Sequence, residues 1–366
     1  MTKRIVIAIS VLCLLIIVVI IAGHRHVAVP TPQAVRFAIS PFQDTLVPII
    51  AREKGWYREE GLDVQLQILD WTAVQEALSA GHADVGINNI SSVVATHARN
   101  PQLVYWYGFN TFDNGFALMI RPKGKLRTLA QIEKEVGDHQ RAVALAAAQL
   151  RGKTVVTTSN TDMEQGVAAA ARRGGLDFVR DVHIIDLNPD EGLAAFLRGA
   201  GDAFIGGVPQ RTRAAREGML EMLTGVDIGP APINGLVTTK KFASEHPDVL
   251  LKLLHAWFRS VNYIDKNMDD GAKIIITELN GDSGAQFTID DFRRFWNNYE
   301  HYPPSPAAVQ ALILDPQGTN SWKARWDDCN YFFYNIKHTI PAPVNPVDAF
   351  LMEDAQKQYV AKYGWN

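Results

Sequence analysis

A chain of 366 residues that is 47% hydrophobic and 20% charged, with a formal net charge of −3, has the composition of an ordinary globular protein large enough for two domains. It has no basic excess, which argues against nucleic acid as a partner. Of its two cysteines, Cys13 falls in an apolar leader, so Cys329 has no partner for a disulfide in the body of the chain.

Lys3 and Arg4 precede an uncharged apolar run over residues 5–22, about 27 Å long as a helix and at the lower limit of a membrane span. The positive flank should stay inside while the remainder is exported. No A-x-A site follows, so a cleaved signal peptide and an uncleaved anchor both stay open. Cys13 follows Leu12 inside the run, which does not fit a lipid anchor. Residues 23–34, with two prolines, then form a tether.

Residues 35–40, VRFAIS, are a strand by their β-branched and aromatic content, and Pro41 breaks it. Phe42, Gln43, Asp44 and Thr45 form the loop after it. Residues 46–59 read as one helix with Gly55 inside, and 62–69 alternate as a second strand ending at Asp70 and Trp71. The next stretch, LDWTAVQEALSAGHADVGINNISS over 69–92, organises this half. Thr72 caps a short helix with Gln75 at capping-box spacing, and Gly81 stops it. A strand over 84–87 then delivers Asn88, Asn89, Ser91 and Ser92, and the carboxyl end of such a strand is where open α/β sheets bind ligands. Residues 101–110 form another strand, and 116–120 a further one that crosses between lobes.

After a polar-then-alanine helix over 131–149, interrupted at Gly137, residues 153–158 form a strand. Ser159, Asn160 and Thr161 follow, then a helix over 162–173 with Glu164 at capping-box distance from Thr161. Residues 182–187 are the next strand. LNPDEGLAAFLRGAGDAFIGGVPQ, 187–210, is then a diverged copy of the 69–92 unit, with Asn188 and Glu191 as cap, a stop near Gly199 and a strand over 202–205. Two such units imply two similar lobes. Residues 219–223 and 236–239 are short strands, 247–267 a helix with one long apolar face, and Thr288 caps a helix to about Trp296. The remainder is rich in Pro, Tyr, Trp and Phe and covers an existing surface. Cys329 reads there as a packed small hydrophobe.

The order FAISPFQDTLVPIIAREKGWYREEGLDVQLQIL, VQEALSAGHADVGINNISSV, LRGKTVVTTSN, GLAAFLRGAGDAFIGGVPQ and VTTKKFASEHPDVLLKLLHAW resembles the periplasmic substrate-binding proteins of the nitrate/sulfonate/taurine/thiamine-precursor transporter group, over about residues 35–267. The resemblance implies an α/β fold of the type II periplasmic-binding-protein kind: two similar α/β lobes with two crossing strands, here followed by an aromatic-rich C-terminal extension. Lobe one would be 35–121 and 236–366 with the extension, and lobe two 122–235. It further implies delivery of a small organic solute to an ABC permease in the inner membrane with its cytoplasmic ATPase. The chain would act as a monomer in the periplasm or on the extracytoplasmic face of the membrane. Segment 131–149 is longer than the connection usual in that group.

Candidate ligand contacts follow from the strand ends. Phe42 and Gln43 lie where the family's first binding loop lies, and Phe42 either stacks on the solute or staples its own helix. Trp71 is a pocket wall or a core residue. Asn88, Asn89 and Ser91 offer uncharged polar groups, as do Asn110 and Asn114 near Asp113. Ser159, Asn160 and Thr161 aim backbone N–H groups at the cleft. Asp162 supports its helix or meets an amine or ring N–H, and Asp186 and Gln210 complete the surface. With no arginine in the strand-end loops, an aminosulfonate, a sulfonate-like solute or a nitrogen heterocycle fits better than nitrate. His82, His97 and His183 share no metal-ligand spacing, so no metal or cofactor is expected. A membrane-anchored ligand sensor is one alternative. An enzyme of pyrimidine-precursor or dehydratase type is another, but there is no cysteine cluster, nucleophile elbow, Walker loop or dinucleotide fingerprint.

Overall fold

The computed structural model describes residues 31–229, 231–283, 286–318 and 320–365. The apolar run 5–22 and most of the tether lie outside the described residues. Ten strands alternate with helices: β1 (Gln33–Ile39), β2 (Leu62–Ile68), β3 (Val85–Asn89), β4 (Leu103–Thr111), β5 (Ala117–Ile120), β6 (Lys153–Thr157), β7 (Val182–Asp186), β8 (Ala203–Gly206), β9 (Leu220–Thr224) and β10 (Ile233–Thr239). They form two five-stranded sheets, ordered β2-β1-β3-β10-β4 and β7-β6-β8-β5-β9. The second order repeats the first, and in each sheet a crossing segment brings in one strand that runs antiparallel to its neighbours. Both sheets belong to one compact unit, Ala34–Asn366.

The chain passes from the first sheet to the second through 112–116 and returns through 225–232. β5 and β10 thus join their sheets a few residues earlier than the crossings read from the sequence. The crossings lie side by side, since Phe112 N–H donates to the Pro232 carbonyl at 3.0 Å and Gly225 N–H to the Phe116 carbonyl at 3.0 Å.

Three local expectations change. The helix expected over 46–59 is two helices, Pro48–Glu53 and Trp56–Glu59, because Gly55 takes a left-handed φ of 74°. The helices expected to be capped by the Thr72 and Asn188 side chains run Trp71–Ser79 and Pro189–Leu197, with Asp70 and Asn188 at the cap positions and no side-chain cap bond at either. Asn88 and Asn89 lie within β3, and Asn89 itself caps the helix Ile90–His97, its side chain accepting from Ser92 N–H.

The aromatic tail covers an edge. β4 is the last strand of its sheet, yet all of it is buried. Tyr105 bridges to Phe350 and stacks on it at 5.7 Å, and Leu351 N–H donates to the Tyr105 carbonyl at 2.9 Å. Thr111 and His301 exchange backbone bonds at 3.0 Å. Unpaired edge groups are thereby satisfied by the chain's own tail. On the sheet's face, the helix Pro247–Lys266 sets Trp257 against Phe109 at 3.7 Å.

Gly235 is where this packing tolerates least. A Cβ there would stand 2.1 Å from the Tyr107 carbonyl oxygen and 2.6 Å from the Tyr105 hydroxyl, both fixed in the interior. Gly235→Ala should cost about 1–3 kcal/mol or more, as overpacking in a core does. Urea unfolding of wild type and variant measures it, and an unchanged midpoint would show that β10 has slack at this position.

Candidate functional site

The two sheets turn the same kind of edge towards each other. In the first, the carboxyl ends of β1, β2 and β3 and the start of β10 present Phe42, Asp44, Trp71, Asn89 and Asn234. In the second, Thr158, Thr161, Asp162, Met163, Pro189 and Gly207 follow β6, β7 and β8. Between them, with Phe112 and Pro232 of the crossings as a third wall, lies a cavity of about 60 Å³ within some 550 Å³ of unfilled space. Phe42 and Trp71 meet edge to face, their ring centres 5.7 Å apart and their planes at 81°, and both rings are half-buried. A direct bond closes the gap between the lobes, with Asn89 Nδ2 donating to Asp162 Oδ2.

Asp162 is not a free carboxylate. Its other oxygen accepts from Arg325, which also donates to Gln165 Oε1 and to Asp328 Oδ2 at 3.2 Å. Arg325 stands on the tail helix Trp322–Asn330, which packs against the helix Ile90–His97 of the first lobe, so the pair spans the lobes. Burial pushes the Asp162 carboxyl up from its ordinary value while the Arg325 charge pulls it back. Cys329, one turn on, is fully buried, and burial drives its thiol up to about 12, which leaves it an inert packing group.

Asp44 is the carboxylate without a cation. It is 3% exposed, lines the cavity and, among the described residues, has no ion-pair partner. Asn234 Nδ2 donates to it, and so does Asn110 Nδ2 at 3.4 Å. Burial raises its carboxyl above the usual range, with those amides and the Thr45 N–H working against the rise. Register explains the cluster, because Asn234 of β10 pairs with Asn89 on one side and Asn110 on the other. Behind Asp44, Glu300 accepts from Gln43 Nε2 and from the Tyr302 hydroxyl. Burial holds the Glu300 carboxyl far above its usual value, and the Asp44 charge adds to the effect.

Phe42, Trp71, Asn89, Thr161 and Asp162 therefore reach the cavity, and Gln210 lines a second space at its mouth. The other candidates stand behind or beside the wall. Asn88 is fully buried and accepts the Asn89 N–H, and Gln43 Nε2 donates to Glu300. Asn110 supports Asp44, while Ser91 is buried in the first turn of its helix. Asn114 is fixed by its backbone, its carbonyl accepting from Arg211 and its N–H donating to the Tyr299 carbonyl. Ser159 N–H donates to Asp186 Oδ1 at 2.8 Å, and Asn160 N–H to Glu164 Oε2 at 2.8 Å, so these residues bond to one another outside the cavity. Sequence reasoning did not single out Asp44, Phe112, Met163, Asn234, Glu300 or Arg325. Asp44 sits beside Phe42 and Gln43 in the same loop, which was a signal. Nothing local marked the other five.

The raised Glu300 carboxyl makes stability pH-dependent. In the unfolded chain a glutamate ionises near 4.3. Folded Glu300 keeps its proton to higher pH, so its contribution is intact below the unfolded value and is lost as pH rises towards the folded one. Glu300→Gln keeps the shape and removes the titration. Urea midpoints should fall less steeply from pH 5 to pH 8 in the variant than in wild type, and equal slopes would mean that Glu300 is ionised in the fold.

Known proteins share this architecture. A family model described as the NMT1-like family matches residues 28–277. The bicarbonate-binding protein CmpA of Synechococcus elongatus is 25% identical over 272 residues, which cover 69% of this chain and only 58% of the relative's own length. The periplasmic aliphatic sulphonate-binding protein SsuA from Escherichia coli superposes with a TM-score of 0.65 at 14% identity, over 87% of this chain and 91% of that one. The periplasmic nitrate-binding protein NrtA from Synechocystis PCC 6803 does so with a TM-score of 0.66 at 16% identity, over 90% and 89%. At such identities the likeness is one of fold, and the fold is the two-lobed α/β architecture of periplasmic binding proteins. The chain belongs to the NMT1-like family.

Proposed function

We propose that this protein is the extracytoplasmic solute-binding component of an ATP-driven importer, capturing one small organic solute between its lobes for transfer to a membrane permease. The observation that carries this reading is the cavity itself. It is bounded by the strand ends of both lobes and bridged by the Asn89–Asp162 bond, so a solute would be enclosed when the lobes meet. The bicarbonate, sulphonate and nitrate named for the similar proteins support the general role. They do not fix the solute here, because function resides in the site rather than the fold. The apolar run 5–22 supports export, and either a cleaved or a retained segment serves this role.

The proposed mechanism is hinge closure about the paired crossings 112–116 and 225–232. In the open state the bonds that span the lobes, Asn89–Asp162 and Arg325–Asp162, are absent and Phe42 and Trp71 are reachable from solvent. Solute filling the cavity shifts the balance to the closed form by binding it better.

Mass spectrometry of gently purified protein should identify a co-purifying solute, and small-angle scattering after stripping and adding it back should show compaction. Trp71→Ala should weaken its binding at least about tenfold, or 1.4 kcal/mol, with the fold retained because the ring is half-buried at the cleft. A lobe separation that saturating solute leaves unchanged would overturn the capture reading. Collapse of Trp71→Ala into aggregates would return Trp71 to the core.

A further inference from the structure

The chemistry of the cavity wall also selects among solutes, granted the capture reading above. We propose that the cavity takes a solute with a positively charged, N–H-bearing nitrogen head of the amidinium or ammonium type, rather than an oxyanion.

Three observations carry this. The first is that several of the backbone donors at the cleft are already in use. Helix amino termini hold anions through free N–H groups. Here Asn89 N–H donates to Asn88 Oδ1 at 2.9 Å, Ser92 N–H to Asn89 Oδ1 at 2.9 Å and Met163 N–H to Thr161 Oγ1 at 3.2 Å. Ser159 and Asn160 N–H groups go to Asp186 and Glu164. At the other two helix starts of the second lobe, Pro189 and Pro209 in the first turn carry no N–H at all.

The second observation is that the cavity offers acceptors. Asp44 is buried on its wall without a cation. Asn110 and Asn234, whose amide nitrogens donate to it, each keep a buried Oδ1 with no hydrogen-bond partner. A charged donor entering beside Asp44 would meet it and the Asn234 oxygen, the two of these that line the cavity, and charge-assisted bonds are the strong ones. The Asp162 charge is already neutralised by Arg325. Phe42, Trp71 and Phe112 supply aromatic faces, which attract cations.

The third observation is the mouth. Next to the Phe42–Trp71 wall lies a cavity of about 150 Å³ lined by Asp70, Asp190 and Glu191, with Gln210 Nε2 donating to Asp190 Oδ1 at 3.0 Å. Among the described residues, no Lys, Arg or His lines this space or the cavity. Such a vestibule raises the local concentration of cations and repels anions.

Isosteric probes of opposite charge test this on the wild-type protein. Acetamidinium against acetate, and benzamidinium against benzamide and benzoate, are titrated at pH 7.5 by calorimetry and thermal shift, with nitrate and methanesulfonate alongside. The amidinium of each set should bind at least tenfold tighter than its carboxylate, and Asp44→Asn should remove at least tenfold of that affinity. The assignment is overturned if no cation outbinds its matched anion, whether because anions bind or because nothing does, or if Asp44→Asn, folded by circular dichroism, binds benzamidinium as wild type does. Scattering separates the two readings. Compaction by an anion would sink the cation assignment and leave solute capture standing, whereas no compaction by any probe or co-purified solute would remove both.

Discussion

Strand β10 returns to the first sheet in a register that seats Asn234 between Asn89 and Asn110, and the polar chemistry of the site hangs on that pairing. A slip of one residue would turn the Asn234 side chain to the opposite face of the sheet. It would then leave Asp44 without its principal donor. Gly235 fixes the register from the neighbouring position, since no side chain fits between it and the Tyr107 carbonyl. The tyrosines that crowd Gly235 are in turn held by the tail, through Phe350 on Tyr105 and Gln356 accepting from the Tyr107 hydroxyl. Packing at the far edge of the sheet thus reaches the cleft through one strand.

Much of the architecture was legible because it is written in local patterns. The helix–glycine–strand units at 69–92 and 187–210 signalled two lobes, and the two sheets do repeat one order. Phe42, Trp71, Asn89 and Thr161 were legible as strand-end residues next to a cleft. The role of Asp162 was not, and the reason is physical. Its partner Arg325 lies 163 residues away, and a charge pair formed only by tertiary packing leaves no spacing to read. From the sequence, Asp162 either supports its helix or faces a donor on the solute. In the fold its charge is taken, and the spare carboxylate is Asp44. Asn234 and Glu300 escaped for the same reason, lying 190 and 257 residues from their partners Asp44 and Gln43.

The tail that hid these partners is a working part of the molecule. It rests on the first lobe through Phe350, which stacks on Tyr105 and is itself backed by Trp322 at 4.0 Å, and reaches the second through Arg325, Lys337 and Phe332. A buried ion pair contributes little net stability once desolvation is counted, but removing one partner is costly. The Arg325–Asp162 pair is better understood as a register device. It has one geometry, and that geometry exists only when the tail helix and the helix Asp162–Arg173 are correctly placed beside the cavity. Lys337 donating to Glu164 at 2.5 Å holds the same helix from the other side.

Fold and solute charge are therefore separable in this protein. The architecture brings the amino termini of the helices Ile90–His97, Asp162–Arg173, Pro189–Leu197 and Val208–Arg216 to the cleft, an arrangement whose dipoles favour negative charge. That bias falls off within a turn and acts on a ligand chiefly through free N–H groups. Asn89 and Thr161 occupy the Ser92 and Met163 donors, Pro189 and Pro209 remove one more from each of the other two helices, and Asp162 places a negative charge in the first turn of its own. The dipole is thereby answered in part by the chain itself. What the cavity wall adds for a solute to answer is Asp44 with the amide oxygen of Asn234, a pair that a donor completes. A few side chains in the strand-end loops thus reverse the preference that the backbone alone would impose.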